Sequence, residues 1–252
     1  MTLQRDLRQR NPVVGTWLSI GHPAVAEIAA GSDLDFVVLD TEHSPTDLET
    51  AENMLRAVEA AGGTALARVP WNDPVRIKRL LDAGPSGLVV PMVETATQAR
   101  EAVAAMRYPP EGDRGVAAAR AAEYGRSFEE YVTDASDDLL TVVQVETETG
   151  VGNAGDIAAV EGVDALFVGP ADLSSSLGSF PDWHDERAVD AVGTVVEAAD
   201  AAGVAVGTLA AGPDEVDTWL DRGMDFLAVG TDAGMLVDAT DEAAAAFERA
   251  TD

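Results

Sequence analysis

The chain has 252 residues, of which 46% are hydrophobic, and it contains 23 glycines and 12 prolines, so it has enough apolar material for a sizeable folded core. Its 45 acidic residues against 16 basic ones, with Lys78 as the single lysine, argue against nucleic acids and anionic membranes as partners. The absence of cysteine excludes disulfides, thiolate metal sites and cysteine nucleophiles.

The acidic residues are dispersed through helix-like segments instead of being collected in a tail, which is typical of a protein from a high-salt cytoplasm. No apolar run reaches the roughly 18 residues of a membrane span, and the amino terminus "MTLQRDLRQRNP" is charged with no apolar segment behind it. We therefore expect a cytoplasmic protein of a halophile that low salt destabilises.

Short apolar runs alternate with longer amphipathic stretches along the chain, which predicts βα units. The apolar runs are continuous, so they suit strands covered on both faces, as in a parallel sheet. The predicted strands are "VVGTWL" (13–18), "FVVLD" (36–40), "TALARV" (64–69), "GLVVPM" (87–92), "TVVQVE" (141–146), "ALFVG" (165–169), "VAVGTL" (204–209) and "FLAVG" (226–230).

The segments between these strands include "DPVRIKRLLDAG" and "DERAVDAVGTVVEAADAAG", which begin with Asp and end with Gly, the expected helix caps. This alternation predicts a (β/α)8 TIM barrel that forms a single domain over residues 1–252. A doubly wound sheet is the main alternative, but the chain lacks the Gly-x-Gly-x-x-Gly and Gly-Lys-Ser/Thr motifs of its nucleotide-binding forms. The longest irregular connection runs over residues 107–125.

Polar residues end several of the predicted strands, where the active site of a barrel lies. The second strand leads into "DTEHSP" with His43, and the third carries Arg68. The fifth ends in Gln144 and Glu146, and Asp172 follows the sixth. We therefore expect these side chains to lie at the same rim.

Glu146 and Asp172, from neighbouring strands and with Gln144 nearby, describe an oxygen-rich site of the kind that Mg²⁺ or Mn²⁺ prefers. Mg²⁺ commonly takes one or two protein carboxylates and completes its shell with water and substrate, which is a catalytic arrangement. From the spacing alone it is equally open that Glu146 and Asp172 are only a helix N-cap and a solvated acid in a loop.

His43 is the candidate general base because imidazole titrates near neutral pH; the alternative is a histidine that satisfies a turn before Pro45. Arg68 lies in an apolar strand, so its charge needs an anionic partner. That partner is either a buried acid or a substrate carboxylate or enolate, and the second is favoured. Lys78 lies in a helix-like segment far from any strand end, so a Schiff base is excluded and carbonyl chemistry would use a metal as electron sink.

The two other histidines belong to less informative surroundings. His22 in "SIGHP" and His184 in "PDWHDE" are predicted to lie in loops or at helix starts.

The sequence closely resembles the HpcH/HpaI aldolase family, metal-dependent pyruvate aldolases that cleave 4-hydroxy-2-oxo acids. The resemblance covers residues 15 to about 236, and the combination of Asp-x-Glu-His, Gln-x-Glu and Gly-Pro-Ala-Asp-Leu-Ser is specific. The matching segments, in order, are "GTWLSIG", "LDTEHSP", "ARVPWNDP", "LLDAGPSGLVVPMVETATQA", "RYPPEGDRGV", "VVQVETETGVGN", "VEGVDALFVGPADLSSSLG" and "FLAVGTDAGML".

The resemblance implies roles for particular residues. Glu146 and Asp172 would hold a divalent ion, Mg²⁺ or Mn²⁺ with Co²⁺ as a further candidate. The residues that would bind substrate are Gln144, the backbone at Ala171, Asp172 and Arg68. His43 would be the base, Asp82 would raise its basicity, and Arg68 would stabilise the enolate. The family also implies a hexamer, a trimer of dimers that exchange a helix.

The segment "RGVAAARAAEYG" is shorter than expected for the family, and Arg120 within it could meet an aldehyde that carries a distant carboxylate. The nearest rival enzyme is a CoA-ester lyase of the malyl-CoA or citramalyl-CoA type, which would need a basic surface for the CoA phosphates. The arginines and the one lysine are dispersed, which disfavours it. A decarboxylating relative like macrophomate synthase and a non-catalytic, metabolite-binding barrel are the remaining alternatives.

Overall fold

In the computed structural model, which describes residues 2–251, the predicted strands close into one parallel barrel. They follow one another around it in chain order, and the first pairs with the last. The strands are β1 (Val13–Leu18), β2 (Phe36–Asp40), β3 (Ala65–Arg68), β4 (Gly87–Val90), β5 (Leu140–Val145), β6 (Ala165–Val168), β7 (Ala205–Ala210) and β8 (Phe226–Thr231). The (β/α)8 barrel is confirmed, and the open doubly wound sheet is excluded.

Helices separate the strands and cover the outside of the barrel. The α-helices are α1 (Leu3–Arg8), α2 (Pro23–Ala30), α3 (Leu48–Ala60), α4 (Pro74–Ala83), α5 (Ala96–Met106), α6 (Phe128–Asp138), α7 (Glu148–Gly152), α8 (Ala154–Ala158), α9 (Pro170–Ser176), α10 (Glu186–Ala202), α11 (Val216–Asp221) and α12 (Asp232–Thr251). Short 3-10 helices cover Arg120–Gly125 and Pro213–Glu215. No helix within residues 2–251 is long and apolar enough to span a bilayer.

The cap residues read from the sequence end the two helices as predicted. Asp73 and Asp185 accept hydrogen bonds from first-turn N–H groups of α4 and α10. Gly84 and Gly203 end these helices with φ angles of 94° and 73°, a left-handed conformation that side chains other than glycine rarely adopt.

The core has two layers, one inside the barrel and one between the barrel and its helices. The inner layer contains large aromatic rings, including Trp17 and Phe167 with ring centroids 5.4 Å apart. Leu3 and Leu7 of α1 join this layer, so α1 closes the amino end of the barrel. The barrel is therefore filled at that end, and its carboxyl end remains for a ligand.

The connection over residues 107–125 is irregular until its 3-10 helix, and it holds the side chain of Arg114, which is 0% exposed. Arg114 donates to Asp82 and to the Tyr131 hydroxyl at 3.0 and 3.1 Å. This connection therefore packs against the start of β4 and against α6, at the amino end of the barrel.

Candidate active site

A cavity of about 340 Å³ lies at the carboxyl ends of the strands. Its lining includes His43 after β2, Arg68 at the end of β3, Gln144 in β5, and Ala171 and Asp172 in the first turn of α9. The parallel barrel thus brings these residues, which are far apart in the sequence, to one rim.

The charge of Arg68 is balanced by buried acids. The register of β2 and β3 places Asp40 opposite Arg68, whose Nε and Nη2 atoms donate to the two Asp40 oxygens at 2.9 and 2.7 Å. The third guanidinium nitrogen lies 3.0 Å from a carboxylate oxygen of Glu42. The buried acid, the less favoured alternative, is therefore the partner of this charge. Two of the five N–H groups of Arg68 donate to Asp40, which leaves others for a ligand.

Asp40 also fixes the turn that carries His43. Its Oδ1 atom accepts the N–H groups of Glu42 and His43 at 2.9 and 3.3 Å, and the Ser44 hydroxyl donates to its carbonyl oxygen at 2.5 Å. Burial alone would raise the pKa of Asp40, but Arg68 and these two N–H groups lower the pKa below its ordinary value. The ionised Asp40 therefore holds both Arg68 and the backbone of the exposed His43 at the cavity.

Glu146 is 2% exposed and has a defined partner on each oxygen. Oε1 accepts the N–H of Met92 at 2.8 Å, and Oε2 accepts the Gln144 side-chain amide at 2.7 Å. Met92 presents its N–H from a left-handed backbone with φ 55°. Position 169 needs glycine, because a Cβ atom at Gly169 would lie 2.4 Å from the Oε2 atom of Glu146.

The acids of the site act on one another. Burial is the main reason why the pKa of Glu146 is raised to about 7; the Met92 N–H and the charge of Arg68 oppose the rise, and the charges of Asp172 and Glu42 add to it. Burial likewise raises the pKa of Glu42, with Arg68 and His43 opposing this and Asp40 and Asp172 adding to it. Glu146, Asp172 and Glu42 thus form a cluster of negative charge.

This donor set fits a hard divalent cation. The Oε1 atom of Gln144 is buried without a hydrogen-bond partner in the described part of the chain, so it can accept from a ligand or an ordered water. A cation would also relieve the crowding of carboxylates that raises the pKa of Glu146. Within residues 2–251 no group of three or more His, Asp or Glu side chains is placed to hold a metal ion. The two carboxylates of Glu146 and Asp172 match the one or two that Mg²⁺ sites commonly take from a protein.

Two expected residues lie elsewhere in the chain. Asp82 is at the carboxyl end of α4, beside the start of β4, and bonds to Arg114. Arg120 donates to the Ala83 carbonyl at 2.7 Å and pairs with Glu59. Both lie at the amino end of the barrel, because α4 runs antiparallel to the strands. Within one chain, Asp82 therefore does not contact His43, and Arg120 does not reach the cavity.

The other two histidines lie where they were predicted. His22 caps α2 by accepting the N–H of Ala24, and His184 precedes Asp185, the N-cap of α10.

The aromatic residues of the cavity, Trp17, Phe167 and Trp183, were not predicted from the sequence. Trp17 places its ring under Arg68, 4.8 Å from the guanidinium carbon, which is a cation–π contact. A tryptophan near the carboxyl end of a barrel strand is a signal for Trp17. Trp183 lies in an irregular segment and offers no such signal.

This barrel, with its rim of acids, a histidine and an arginine, defines a class of (β/α)8 enzymes with an oxygen-rich site. The family model described as "HpcH/HpaI aldolase/citrate lyase" matches residues 14–239. The chain therefore belongs to the HpcH/HpaI aldolase/citrate lyase family, whose members depend on a divalent metal ion.

Several relatives are aldolases. The chain is 42% identical to a hydroxypyruvate/pyruvate aldolase of Delftia acidovorans, over 91% of this chain and 86% of the relative. It is 42% identical to a 2-keto-3-deoxy-L-rhamnonate aldolase of Escherichia coli, over 96% of this chain and 91% of the relative. It is 38% identical to a 4-hydroxy-2-oxo-heptane-1,7-dioate aldolase of Salmonella arizonae, over 96% of this chain and 92% of the relative.

A solved structure of a family member from Burkholderia cenocepacia superposes with a TM-score of 0.95, at 37% identity and with 98% of each chain covered. Together these findings identify an enzyme, a carbon–carbon lyase of the aldolase type, and give the CoA-ester lyase less support.

Proposed function

We propose that the enzyme cleaves a 4-hydroxy-2-oxo acid into pyruvate and an aldehyde, and that it catalyses the reverse addition with the same groups. The relative named as a 4-hydroxy-2-oxo-heptane-1,7-dioate aldolase and the one named for pyruvate support this substrate class. The observation that carries the proposal is a single cavity. Its lining includes Asp172, Gln144, His43 and Arg68, and Gln144 donates to the carboxylate of Glu146.

Glu146 and Asp172 hold the divalent ion, Mg²⁺ or Mn²⁺, with Co²⁺ as a further candidate. When bound, the ion supplies an electron sink for the bond between C3 and C4 of the keto acid. Gln144 and the backbone at Ala171 seat the pyruvyl group beside it. The Gln144 amide keeps Glu146 oriented, in the way that outer-shell groups orient metal ligands.

His43 moves the proton at the far end of the substrate. During cleavage His43 takes the proton of the C4 hydroxyl through a water molecule, and during the reverse aldol addition it returns that proton. The Asp40 turn fixes the backbone of His43, so its imidazole is presented to the cavity at a set distance from Arg68. The role that the family resemblance gives to Asp82 would need a second subunit.

Arg68 stabilises the charge that develops on the enolate oxygen. Its position is set before substrate arrives, because Asp40 accepts two of its N–H groups, Glu42 forms an ion pair with it, and the ring of Trp17 lies against its flat face. A preorganised donor of this kind is worth about two to three orders of magnitude in turnover.

The test is release of pyruvate from a racemic 4-hydroxy-2-oxo acid at high salt, with Mn²⁺ or Mg²⁺ and with EDTA. We expect turnover that EDTA abolishes. Glu146→Ala should weaken Mn²⁺ binding in calorimetry, whereas His43→Ala should lower turnover and leave Mn²⁺ affinity within about twofold. Glu148→Gln removes an exposed carboxylate from the start of α7 and is the matched control. Activity that survives chelation would contradict the metal role.

We also propose that the chain forms a homo-oligomer, a hexamer with exchanged helices as the resemblance implies, in the cytoplasm and without nucleic acid or membrane partners. The support is α12, which has no buried residue and exposes Met235, Leu236, Val237 and Phe247 by 47 to 71%. So large an apolar helix face is costly in water. Phe247→Glu should lower the mass measured by light scattering at high salt, and Glu248→Gln should not. An unchanged mass for Phe247→Glu would contradict the role of α12.

A further inference from the structure

The carboxylate of Asp232, the first residue of α12, joins the end of β8 to the end of β1. Its Oδ1 atom accepts the N–H and the hydroxyl of Ser19, both at 2.9 Å, and its Oδ2 atom accepts the N–H of Ile20 at 2.9 Å. Oδ1 also accepts the N–H of Ala233 at 2.8 Å. Both carboxylate oxygens are therefore used, and mainly by the segment that follows β1.

Asp232 acts where the strand ladder stops. The pairing of β1 with β8 ends at Trp17 and Thr231, and Ser19 and Ile20 lie beyond it. Hydrogen bonds from backbone N–H groups to a carboxylate are stronger than those to a neutral acceptor. Asp232 therefore extends the connection between the two strands and fixes the course of the chain after β1.

The segment that Asp232 holds belongs to the wall of the cavity. Ser19 lines the cavity together with Trp17, which lies two positions before it. The ring of Trp17 lies 4.8 Å from the guanidinium carbon of Arg68. A shift at Ser19 would therefore move the ring against which Arg68 rests, although Asp232 is itself outside the lining.

The same segment also packs against the loop that carries His43. A Cβ atom at Gly21 would lie 2.8 Å from the Oγ1 atom of the buried Thr46, so the backbone of Gly21 is close to that side chain. The N–H of Thr46 donates to the Ser44 hydroxyl at 3.2 Å, next to His43 in the chain. Residues 19–21 therefore lie between Asp232 and the loop of the proposed base.

We propose that Asp232 is a positioning residue of the reaction, which through residues 19–21 keeps Trp17 against Arg68 and supports the loop of His43. This rests on the proposed aldolase function and adds to it a residue outside the cavity. The residues proposed to hold the metal and the pyruvyl group, Gln144, Glu146 and Asp172, come from β5, its end and α9. Asp232 bonds to none of these three, so its loss should impair proton transfer and enolate stabilisation and spare metal binding.

The test is deuterium exchange at the pyruvate methyl group by Asp232→Asn, loaded with Mn²⁺ at high salt. The amide NH₂ of asparagine donates instead of accepting, so an N–H group of Ser19 or Ile20 loses its acceptor. We expect kcat for exchange to fall about tenfold, the scale of one hydrogen bond to a charged group. The KM for pyruvate and the Mn²⁺ affinity in calorimetry should stay nearly unchanged.

The number of Mn²⁺ sites found by calorimetry normalises kcat, so that unfolded molecules do not count as inactive enzyme. Asp241→Asn removes an exposed carboxylate from the same helix, α12, and should change neither kcat nor Mn²⁺ affinity. A parent-like kcat in Asp232→Asn would overturn the proposal. An equal loss of Mn²⁺ affinity would also overturn it, because the effect would then be general to the fold.

Gly21→Ala perturbs the same segment from its other side and leaves the carboxylate in place. Gly21 lies outside the left-handed region, so the new methyl group acts through its 2.8 Å approach to Thr46. We expect kcat for exchange to fall about fivefold, the scale of a small overpacking cost, with Mn²⁺ affinity retained. Gly193→Ala, whose methyl group has nothing within 4 Å, should not lower kcat. A parent-like kcat in Gly21→Ala would overturn the support of the His43 loop.

A double variant tests the route through Trp17. If Asp232 acts through this ring, Trp17→Phe and Asp232→Asn together should lower kcat by less than the product of the two single losses, as for residues that act on one group. Losses that multiply would overturn this route. Exchange in the parent enzyme with parent-like exchange in Asp232→Asn refutes the positioning role alone. A parent enzyme without exchange refutes the proposed function itself.

Discussion

Gly169→Ala tests whether the orientation of Glu146 determines metal binding. Gly169 has φ −86° and ψ 98°, which alanine adopts without strain, so the substitution acts through space alone. The new methyl group would lie 2.4 Å from Oε2 of Glu146 and 3.3 Å from the amide nitrogen of Gln144. To reach an ordinary separation of about 3.4 Å, the oxygen must retreat by roughly 1 Å.

Glu146 cannot make that movement without loss. It is 2% exposed, and its other oxygen is held by the Met92 N–H at 2.8 Å. The bond of 2.7 Å from Gln144 to Oε2 would break, and a hydrogen bond to a charged group contributes about 1.5 to 3 kcal/mol. That range corresponds to about 10- to 100-fold in affinity, which is also the usual effect of removing a group that orients a metal ligand.

The assay is titration with Mn²⁺ by calorimetry at high salt, followed by pyruvate release at saturating Mn²⁺. We expect Gly169→Ala to weaken Mn²⁺ binding by about 10- to 100-fold. Gly193→Ala is the matched control, because that glycine lies within α10 with nothing within 4 Å of the new methyl group. It should leave Mn²⁺ affinity unchanged and stabilise the fold by about 0.5 to 1 kcal/mol. Parent-like Mn²⁺ affinity in Gly169→Ala would refute the reasoning.

Three further outcomes are expected. Arg68→Ala should lower the free energy of unfolding in urea by about 3 to 5 kcal/mol, because it leaves Asp40 buried and unpaired. Arg79→Ala, which removes an exposed arginine, should leave the free energy of unfolding nearly unchanged, and equal losses in the two variants would contradict the prediction. Because the pKa of Asp40 is lowered in the folded protein, its ionisation contributes stability that is complete above the ordinary pKa of 3.8 and is lost as pH falls through the lower folded value. Asp40→Asn should therefore make the free energy of unfolding in urea less dependent on acid pH. An unchanged pH dependence would refute this. The net charge of −29 predicts a melting temperature that falls between molar and millimolar salt, and a constant value would show that self-repulsion is unimportant.

The strands were predictable because each is a short, largely apolar run, and all of them lie within one or two residues of the predicted bounds. Helices α1 and α6 are among those not predicted. Helix α1 has two core contacts, Leu3 and Leu7, and their role in closing the barrel depends on strands far along the chain. Helix α6 lies beyond the irregular connection, although its apolar residues Phe128, Tyr131, Val132 and Ala135 follow helical spacing.

The site was predictable where a residue follows a strand, as with His43, Glu146 and Asp172, because barrel topology alone brings strand ends together. Residues carried by helices and long connections were not predictable in this way. Asp82 ends α4, so it lies at the opposite end of the barrel from His43. Trp183 depends on a contact with Glu215, which is 32 positions away and belongs to another segment. Such contacts leave no periodic signal in the sequence.

The distribution of charge links the acids of the rim to the order in which ligands are expected to bind. Asp40, Glu42, Glu146 and Asp172 surround a single guanidinium, that of Arg68, in a partly buried space. Asp40 and Glu42 already offset Arg68, so Asp172 and the ionised fraction of Glu146, whose pKa is raised to about 7, repel an incoming keto acid, itself an anion. Repulsion between like charges is strong at low dielectric, and a divalent ion reverses its sign. The carboxylates that make the cavity suitable for a metal therefore also make the keto acid depend on that metal for entry.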